Sequence, residues 1–567
     1  MPNDLPCCPN SMIMKTKLFL GIIFSFSALL ASAQPFTPDT SFGTNGKASC
    51  EFGNETNFLR RIALQPDGKI VACGYYEYNR FTIWQRTSEL AVARFNPDGS
   101  LDEAFGASGK VLVPFLANAD FRPTAIQLLP DGKMLLLCYK AYLIQQYIHH
   151  AVLMKLNADG SPDSTFGTNG ILDVDPTAAY SLCTALEVQT DGKILIGGQT
   201  GNLVNPMNFA VYRFNADGTR DQSFGTSGLF TANLGSNGSV LPESYDEIDV
   251  FKIMPDGSIF AAGDTAYREE GAMDYSGKFV IYKLNSNGTV VSDFGDNGRT
   301  SANYPQYRAH ILRSIEVSPD QKITITGICT NYNDAYSGIA TVRYNADGSF
   351  DNSYGTGGKA YFDNGFEFPK FAVFNSILKS DGKLLILGAG RDEDTEPIRD
   401  YYITKSILLQ LNADGSVDNS FSPDGLYWAA LNDINGEATT WDFATQPDGK
   451  IVLAGWCRGT DGRKKMGLWR FASTALATET FASNDFSVVP NPFTDRVFLN
   501  FNLNGSSLLS ADLFDSNGRK IQNLIQDKIF SSGSNAIEVQ MPESLAKGVY
   551  LIKVYNGSTN TTLKIIK

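Results

Sequence analysis

A chain of 567 residues, 43% hydrophobic and with 52 glycines, has a globular composition and the length for more than one domain. Its formal charge of −13, with no basic stripe, argues against a nucleic-acid partner, because phosphate contact needs clustered Lys and Arg. Only His149, His150 and His310 are present, and no Cys/His cluster has ligand spacing, so neither zinc chemistry nor a His-activated nucleophile finds support.

The N-terminus reads as a targeting segment. Lys15 and Lys17 precede an apolar stretch over 18–30, and Ala31-Ser-Ala33 follows as a small-residue cleavage site. The stretch is too short to cross a bilayer and suits a signal peptide over 1–33; Met12 or Met14 would serve equally as its start. No later stretch is apolar and long enough to span a membrane, so no transmembrane segment is expected in the mature chain. Of eight cysteines, Cys7 and Cys8 lie before the cleavage site. Cys73, Cys138, Cys183 and Cys329 sit in apolar, strand-like runs, as small buried hydrophobes would, with a stray exterior disulfide as the alternative.

From residue 34 to residue 472 one phrase recurs. Asn157-Ala-Asp-Gly-Ser161 leads through Asp163 to Phe166 and Gly170, and Asn215-Ala-Asp-Gly218 leads the same way to Phe224 and Gly228. The aromatic position occurs seven times, at Phe42, Phe105, Phe166, Phe224, Phe294, Tyr354 and Phe421, at intervals of 58 to 70 residues. A Pro-Asp-Gly-Lys phrase or a degenerate form of it also occurs seven times, at 66–69, 130–133, 190–193, 255–258, 319–322, 380–383 and 447–450. Between these phrases lie short strand patterns. In the second unit they are 110–115, 124–129, 134–138 and 151–156, taken as strands one to four of that unit. Pro-Asp-Gly suits a type I turn with Gly at positive φ. Four-stranded units repeated seven times predict an all-β, seven-bladed β-propeller in which the recurrent Phe wedges between blades. A stacked solenoid is the alternative, but the first and last units do not read as polar caps. The chain enters with the back half of a linker (Asp39 to Gly43) and leaves the last unit at Arg470, before the front half, so the two halves are placed to seal a ring.

The units resemble the delta-60 repeat, a bacterial β-propeller repeat with an (R/K)-(F/L)-N-x-D-G-(S/T)-x-D-x-x-F-G phrase. The matches include 94–106, 155–167, 213–225 and 343–355, the last with Tyr354 for Phe. The resemblance implies the fold and is nearly silent on activity. Trp441-Asp442 is a lone Trp-Asp dipeptide and reads as chance, not as a WD signature.

After a polar linker over 473–484, residues 485–567 carry about seven short strand patterns, a small Ig-like β-sandwich. This segment resembles the type A sorting domain of the type IX secretion system, through Pro490-Asn491-Pro492 near its start, Asp515-Ser-Asn-Gly518, Gly548 and Tyr550 in Lys547-Gly-Val-Tyr550, and the terminal Lys567. The resemblance implies a Sec signal peptide, contact with the type IX machinery, and release or surface attachment outside the outer membrane. An ordinary binding sandwich is the alternative.

Candidate chemistry is sparse. The spacing of Asp98 with Asp102, Asp159 with Asp163 and Asp217 with Asp221 points to calcium or, equally, to turn capping; the copy with Asn287 and Val291 loses both acids. No other cofactor is implied. The Pro-Asp-Gly turns and the linkers are nearly constant and belong to one face. The loops of the other face vary and are rich in aromatics: Tyr75, Tyr76, Trp84, Tyr139, Tyr142, Tyr304, Tyr307, Tyr427 and Trp428. Variable aromatic loops on a rigid scaffold suit recognition of a glycan or protein, or are simply unconstrained. The expectation is a secreted or surface propeller with a binding role; the alternatives are a carbohydrate-active enzyme with carboxylates at the channel mouth, and a structural surface-layer component.

Overall fold

The computed structural model describes residues 36–567 apart from 83–84, 114–118, 143–148, 179, 203–204, 234–244, 269–274, 331–336, 364–370, 392–403, 423–424, 430, 432–437, 474–485, 492, 504–506, 516–519, 531–532, 543–544 and 557–558. The expected signal peptide, Trp84, Pro492, most of the 473–484 linker and the 516–518 turn lie outside the described residues. Among the described residues there is no helix, and the strands before residue 474 build seven antiparallel blades.

In the first blade the order from the axis outward is Thr56–Leu64, Ile70–Thr82, Gln85–Phe95 and Lys110–Val113. The second strand is sequestered on both faces, which is why Ile70, Val71, Ala72 and Cys73 are all apolar and fully buried. Gln65 N–H bonds Lys69 O at 2.8 Å across the first turn, where Gly68 has φ +84° and Asp67 caps Lys69 N at 3.1 Å. The Pro-Asp-Gly phrase thus does what its turn chemistry dictates.

One sequence expectation is corrected. The strand after each linker does not open the following blade; Lys110–Val113 pairs with Gln85–Phe95 and is the outer strand of the blade before it. The linker itself causes this. Asp102 N–H bonds Arg94 O at 2.8 Å and Arg94 N–H bonds Gly109 O at 3.0 Å, so the chain folds back along the strand it has just left.

The inner strands are Thr56–Leu64, Ala119–Leu128, Tyr180–Val188, Tyr245–Ile253, Ala309–Val317, Phe371–Leu378 and Ala438–Thr445. Each packs beside the next, and the last packs beside the first, so the ring closes. Closure uses both ends of the propeller sequence: Phe36–Pro38 and Lys47–Cys50 pair with Lys464–Ser473 and complete the last blade. Seven buried apolar clusters follow, each drawn from two adjacent blades. The recurrent aromatic is a wedge as expected: Phe166 lies between Leu135 and Leu153 of one blade and Ile194 and Tyr212 of the next. Cys50, Cys73, Cys138, Cys183, Cys329 and Cys457 are buried in these layers and form no disulfide with one another.

Every inner strand carries a β-bulge at the same place. The extra residues are Arg60, Thr124, Thr184, Asp249, Arg313, Phe374 and Trp441. A bulge re-aims a side chain out of the pleat. Here the extra residues reach sideways around the ring: Thr124 Oγ1 donates to Cys183 O, Thr184 Oγ1 to Ile248 O, and Arg313 pairs with Asp249.

Beyond the propeller, residues 486–566 form seven strands in two sheets over their own core, which includes Val497, Leu513, Ile552 and Ile565. This is the expected sandwich.

Candidate functional site

Because the strands alternate in direction, the Pro-Asp-Gly turns and the linkers share one face of the ring. The linker phrase is consumed there by the fold. Arg94 Nε donates to Asp102 Oδ2 at 2.7 Å, Arg94 Nη1 reaches Ala158 O of the next linker at 2.6 Å, and the guanidinium lies 4.7 Å over the Phe105 ring. Lys69, from the turn, adds a bond to Asp102 Oδ2 at 2.9 Å, and this pairing with the neighbouring Arg94 holds the Asp102 carboxyl below its ordinary range. Asp98 Oδ1 accepts from Ser100 N and Oγ at 2.9 and 2.7 Å. Gly106 N–H then donates to Asp159 O, at 2.8 Å, stitching one linker to the next.

The same pattern recurs with Asp163 on Lys133, Asp221 on Lys193 and Arg213, Asp351 on Lys322 and Arg343, and Asp418 on Lys383. The copy that carries Val291 in place of the second acid also carries Ser258 in place of the turn lysine. Asn287 still caps Thr289 N at 3.1 Å. What that copy loses is an ion pair, both halves together. Asp98, Asp102, Asp159, Asp163, Asp217 and Asp221 all have donors from their own chain. Among the described residues no group of three or more His, Cys, Asp or Glu is placed to hold a metal ion.

The other face presents a different surface. Lys464 Nζ lies 3.8 Å from the Trp456 ring centroid, and Trp456 meets Phe58 edge-on at 6.5 Å. Phe58 stacks on Tyr75 at 4.9 Å, and Arg122 lies 5.1 Å over Tyr75. Arg122 is paired to Asp120 at 2.8 Å and faces Tyr139 across its strand pair. Tyr139 meets His149 at 5.2 Å, and His149 meets Tyr180 at 5.6 Å. The result is one arc across four blades. Phe58, Trp456, Tyr139, His149 and Tyr180 are all partly exposed along it, while Tyr75 is buried beneath.

Two of the nine aromatic residues expected from sequence therefore fall in this arc. Tyr76 is half-buried in the second strand of the first blade, its hydroxyl beside Gly53. Tyr142 ends the strand Met134–Tyr142. Tyr304 is buried, its hydroxyl donating to Thr341 O at 2.8 Å, while Tyr307 stacks on Tyr361 at 5.1 Å in a separate group. Tyr427 is buried with its hydroxyl on Phe36 O at 3.3 Å, and Trp428 packs near Gly390. Phe58, Trp456 and Lys464 were missed because nothing in their local pattern sets them apart from core strand residues.

Further along the inner wall, Glu247, Asp249 and Asp264 crowd together. Glu247 and Asp264 are register partners, Arg313 donates to Asp249 Oδ1 at 3.1 Å, and Leu312 N–H donates to Asp264 Oδ1 at 3.0 Å. Burial, reinforced by the neighbouring Asp249, pushes Glu247 up to about 8. Burial pushes Asp249 up to about 6 against the pull of Arg313, and Asp264 well above the ordinary carboxylate range.

In the terminal sandwich the expected sorting residues fasten the last strand. Asn491 Nδ2 donates to Lys564 O at 3.0 Å and its Oδ1 accepts from Ile566 N at 2.9 Å. Gly548 and Lys567 exchange backbone bonds at 3.2 and 3.0 Å, and Tyr550 Oη donates to Ala546 O at 2.8 Å. Pro490 is exposed and follows a cis peptide bond.

Comparison with known families agrees with both halves. Residues 487–567 match the secretion system C-terminal sorting domain, and 65–105, 150–166, 189–224, 318–354 and 401–421 match the beta-propeller domain of unknown function DUF5122. The chain carries β-propeller repeats followed by a type IX sorting domain, which supports export to the cell surface or beyond. No curated protein matches the chain. Among solved structures, it is similar to PorZ, a surface component of the type-IX secretion system of Porphyromonas gingivalis (10% identity, 90% of this chain and 81% of that one, TM-score 0.19). It is also similar to an acylaminoacyl peptidase of Pyrococcus horikoshii (9%, 80% and 59%, 0.36) and a family 32 glycoside hydrolase of Bifidobacterium adolescentis (8%, 92% and 95%, 0.27). These likenesses are too distant to bear on function.

Proposed function

We propose that this chain is an extracellular binding protein, brought across the inner membrane by its 1–33 segment and the outer membrane by its sorting domain, whose propeller engages a glycan at the aromatic mouth. The observation that supports this is the contrast between the two faces. On the linker face the turn lysines are paired to the linker aspartates, whereas the opposite mouth leaves five aromatic rings partly exposed, with Lys464 and the Asp120-paired Arg122 set among them. Flat rings beside donors suit sugars, whose C–H faces stack and whose hydroxyls accept and donate. A glycan array on the mature chain tests it. Binding is expected, and Phe58→Ala with Tyr139→Ala is expected to abolish it without loss of the folded state. No retained glycan, or retention unaffected by the double variant, would overturn it.

One observation favours a second reading, a carbohydrate-active enzyme. Glu247 and Asp249 are carboxyls held toward their protonated forms in the channel wall, a condition a general acid requires. Release of reducing sugar from an array hit, abolished by Glu247→Gln, would establish it; binding without turnover leaves the first reading in place.

A further inference from the structure

Among the described residues, Arg60 and Trp441 are donors of the inner wall for which the chain supplies no acceptor. Arg60, the bulge residue of the first inner strand, lies 3.8 Å over the Trp441 ring and 5.6 Å from the Tyr75 ring. Among the described residues no carboxylate lies within ion-pair distance of it, although Arg94, Arg122, Arg213, Arg313, Arg343 and Arg470 each have one. The indole Nε1 of Trp441, the bulge residue of the last inner strand, is buried and also finds no acceptor. Asp442 is adjacent but engaged elsewhere: its Oδ2 accepts from Ile62 N at 3.0 Å and its Oδ1 from Phe443 N at 2.9 Å. Phe374, the bulge residue of the sixth blade, stacks on Trp441 at 5.7 Å. With the indole ring engaged by Phe374 and Arg60, its N–H is the group left for a ligand.

A buried donor left unpaired costs free energy, and the half-buried guanidinium of Arg60 beside it carries a positive charge that no carboxylate of the described residues offsets. One planar anion removes both deficits, because a carboxylate offers two coplanar oxygens to in-plane donors. We propose that Arg60 and Trp441 form an anion subsite in the channel wall that takes the carboxylate of an acidic sugar. This rests on the reading of the mouth as a glycan site. Tyr75 joins the two: Phe58 of the arc stacks on it, and Arg60 lies within reach of the same ring, so a glycan bound along the arc would bring an acid group to Arg60. The lone Trp-Asp dipeptide then has a structural role, Trp441 packed between Phe374 and Arg60 and Asp442 accepting from the backbone of Ile62 and Phe443.

The test uses the full mature chain with 15N-labelled tryptophan, the Trp441 indole resonance being assigned by its absence in Trp441→Phe. Titration with glucuronate is expected to shift that resonance saturably, and titration with glucose to leave it in place. Arg60→Met is expected to weaken glucuronate at least tenfold with an unchanged melting temperature; Arg60→Lys, which keeps the charge but not the fork, is expected to weaken it less. No shift with glucuronate, or an equal shift with glucose, would overturn the subsite. A blank glycan array together with a glucuronate shift would discard the glycan reading of the mouth alone. Array hits with no indole shift would discard the subsite alone.

Discussion

Asp39 and Arg470 stand at opposite ends of the propeller sequence and meet at 2.8 Å, Arg470 Nε on Asp39 Oδ2, with Lys450 on the same oxygen at 3.1 Å. The pair reproduces, between two chain ends, the Arg94–Asp102 contact that other linkers make within one segment. The terminal strands close the ring by hydrogen bonding, and this contact locks their register. Asp39→Ala leaves the buried Arg470 without its carboxylate, so a loss of about 3 kcal/mol in urea unfolding is expected. A loss under about 1 kcal/mol, the range of an exposed pair, would show that strand pairing alone closes the ring.

The fourth blade offers a test of why the linker acids exist. Ser258 and Val291 occupy the positions of the turn lysine and the linker aspartate, and Lys283 stands where Arg94 does in the first linker. Ser258→Lys and Val291→Asp together should restore the missing pair. A favourable coupling of about 0.5–1 kcal/mol or more is expected in a double-mutant cycle. Additive effects would mean that the two losses are unrelated.

If the linker acids serve the ion-pair belt and not an ion, a chelator should leave the melting curve of the chain where it was. A melting temperature lowered by chelator and restored by calcium would return Asp98, Asp102 and their counterparts to the role of ligands.

Phe166 and Gly160 probe the wedge. Phe166→Ala removes a ring from between two blades, at a cost of about 3–5 kcal/mol. On turn chemistry alone Gly160→Ala would cost only about 1–2 kcal/mol. The structure raises that figure: Gly160 has φ +89°, and a Cβ there would meet Val111 Cγ2 at 2.5 Å and the Phe105 ring at 2.9 Å. Each linker glycine is the floor on which the preceding linker's aromatic sits. Both variants are therefore expected to lower the denaturant midpoint markedly, and pairing Gly160→Ala with Phe105→Leu, which withdraws the ring, should recover part of the glycine's loss.

The blades, their number, the wedge and the division into a constant and a variable face were legible because they repeat, and repetition exposes what geometry demands. Which blade the strand after each linker joins is not legible, since its short pattern carries no record of the edge it pairs with; the back-bonding of Asp102 to Arg94 decides that. The mouth was half legible. Tyr75 and Tyr139 stood out as aromatics near variable loops, but so did Tyr304 and Tyr427, whose hydroxyls are tied to backbone oxygens inside the fold. Arg60 and Trp441 were not legible at all as a pair. They come from opposite ends of the repeat array, and only ring closure brings them within 3.8 Å.

Two groups of acids set opposite slopes of stability against pH. Asp163 is held down to about 2, chiefly by Lys133, from an ordinary 3.8. Its contribution is present above the unfolded value and is lost as pH falls from about 4 toward 2. Glu247 is raised to about 8 from 4.5 and Asp249 to about 6 from 3.8. Over that range the folded chain keeps protons that the unfolded chain has shed, so stability declines as pH rises from about 4 to 8. The melting temperature is expected to peak near pH 4 and fall on both sides. Asp163→Asn should make the acid limb shallower, the equally paired Asp221, Asp351 and Asp418 keeping the rest of it, and leave the alkaline limb; Glu247→Gln should make the alkaline limb shallower and leave the acid one. If Glu247→Gln lowers the melting temperature equally at pH 5.5 and pH 8, the carboxyl is already ionised in the folded chain, and its place in the channel wall is held by charge, not by a retained proton.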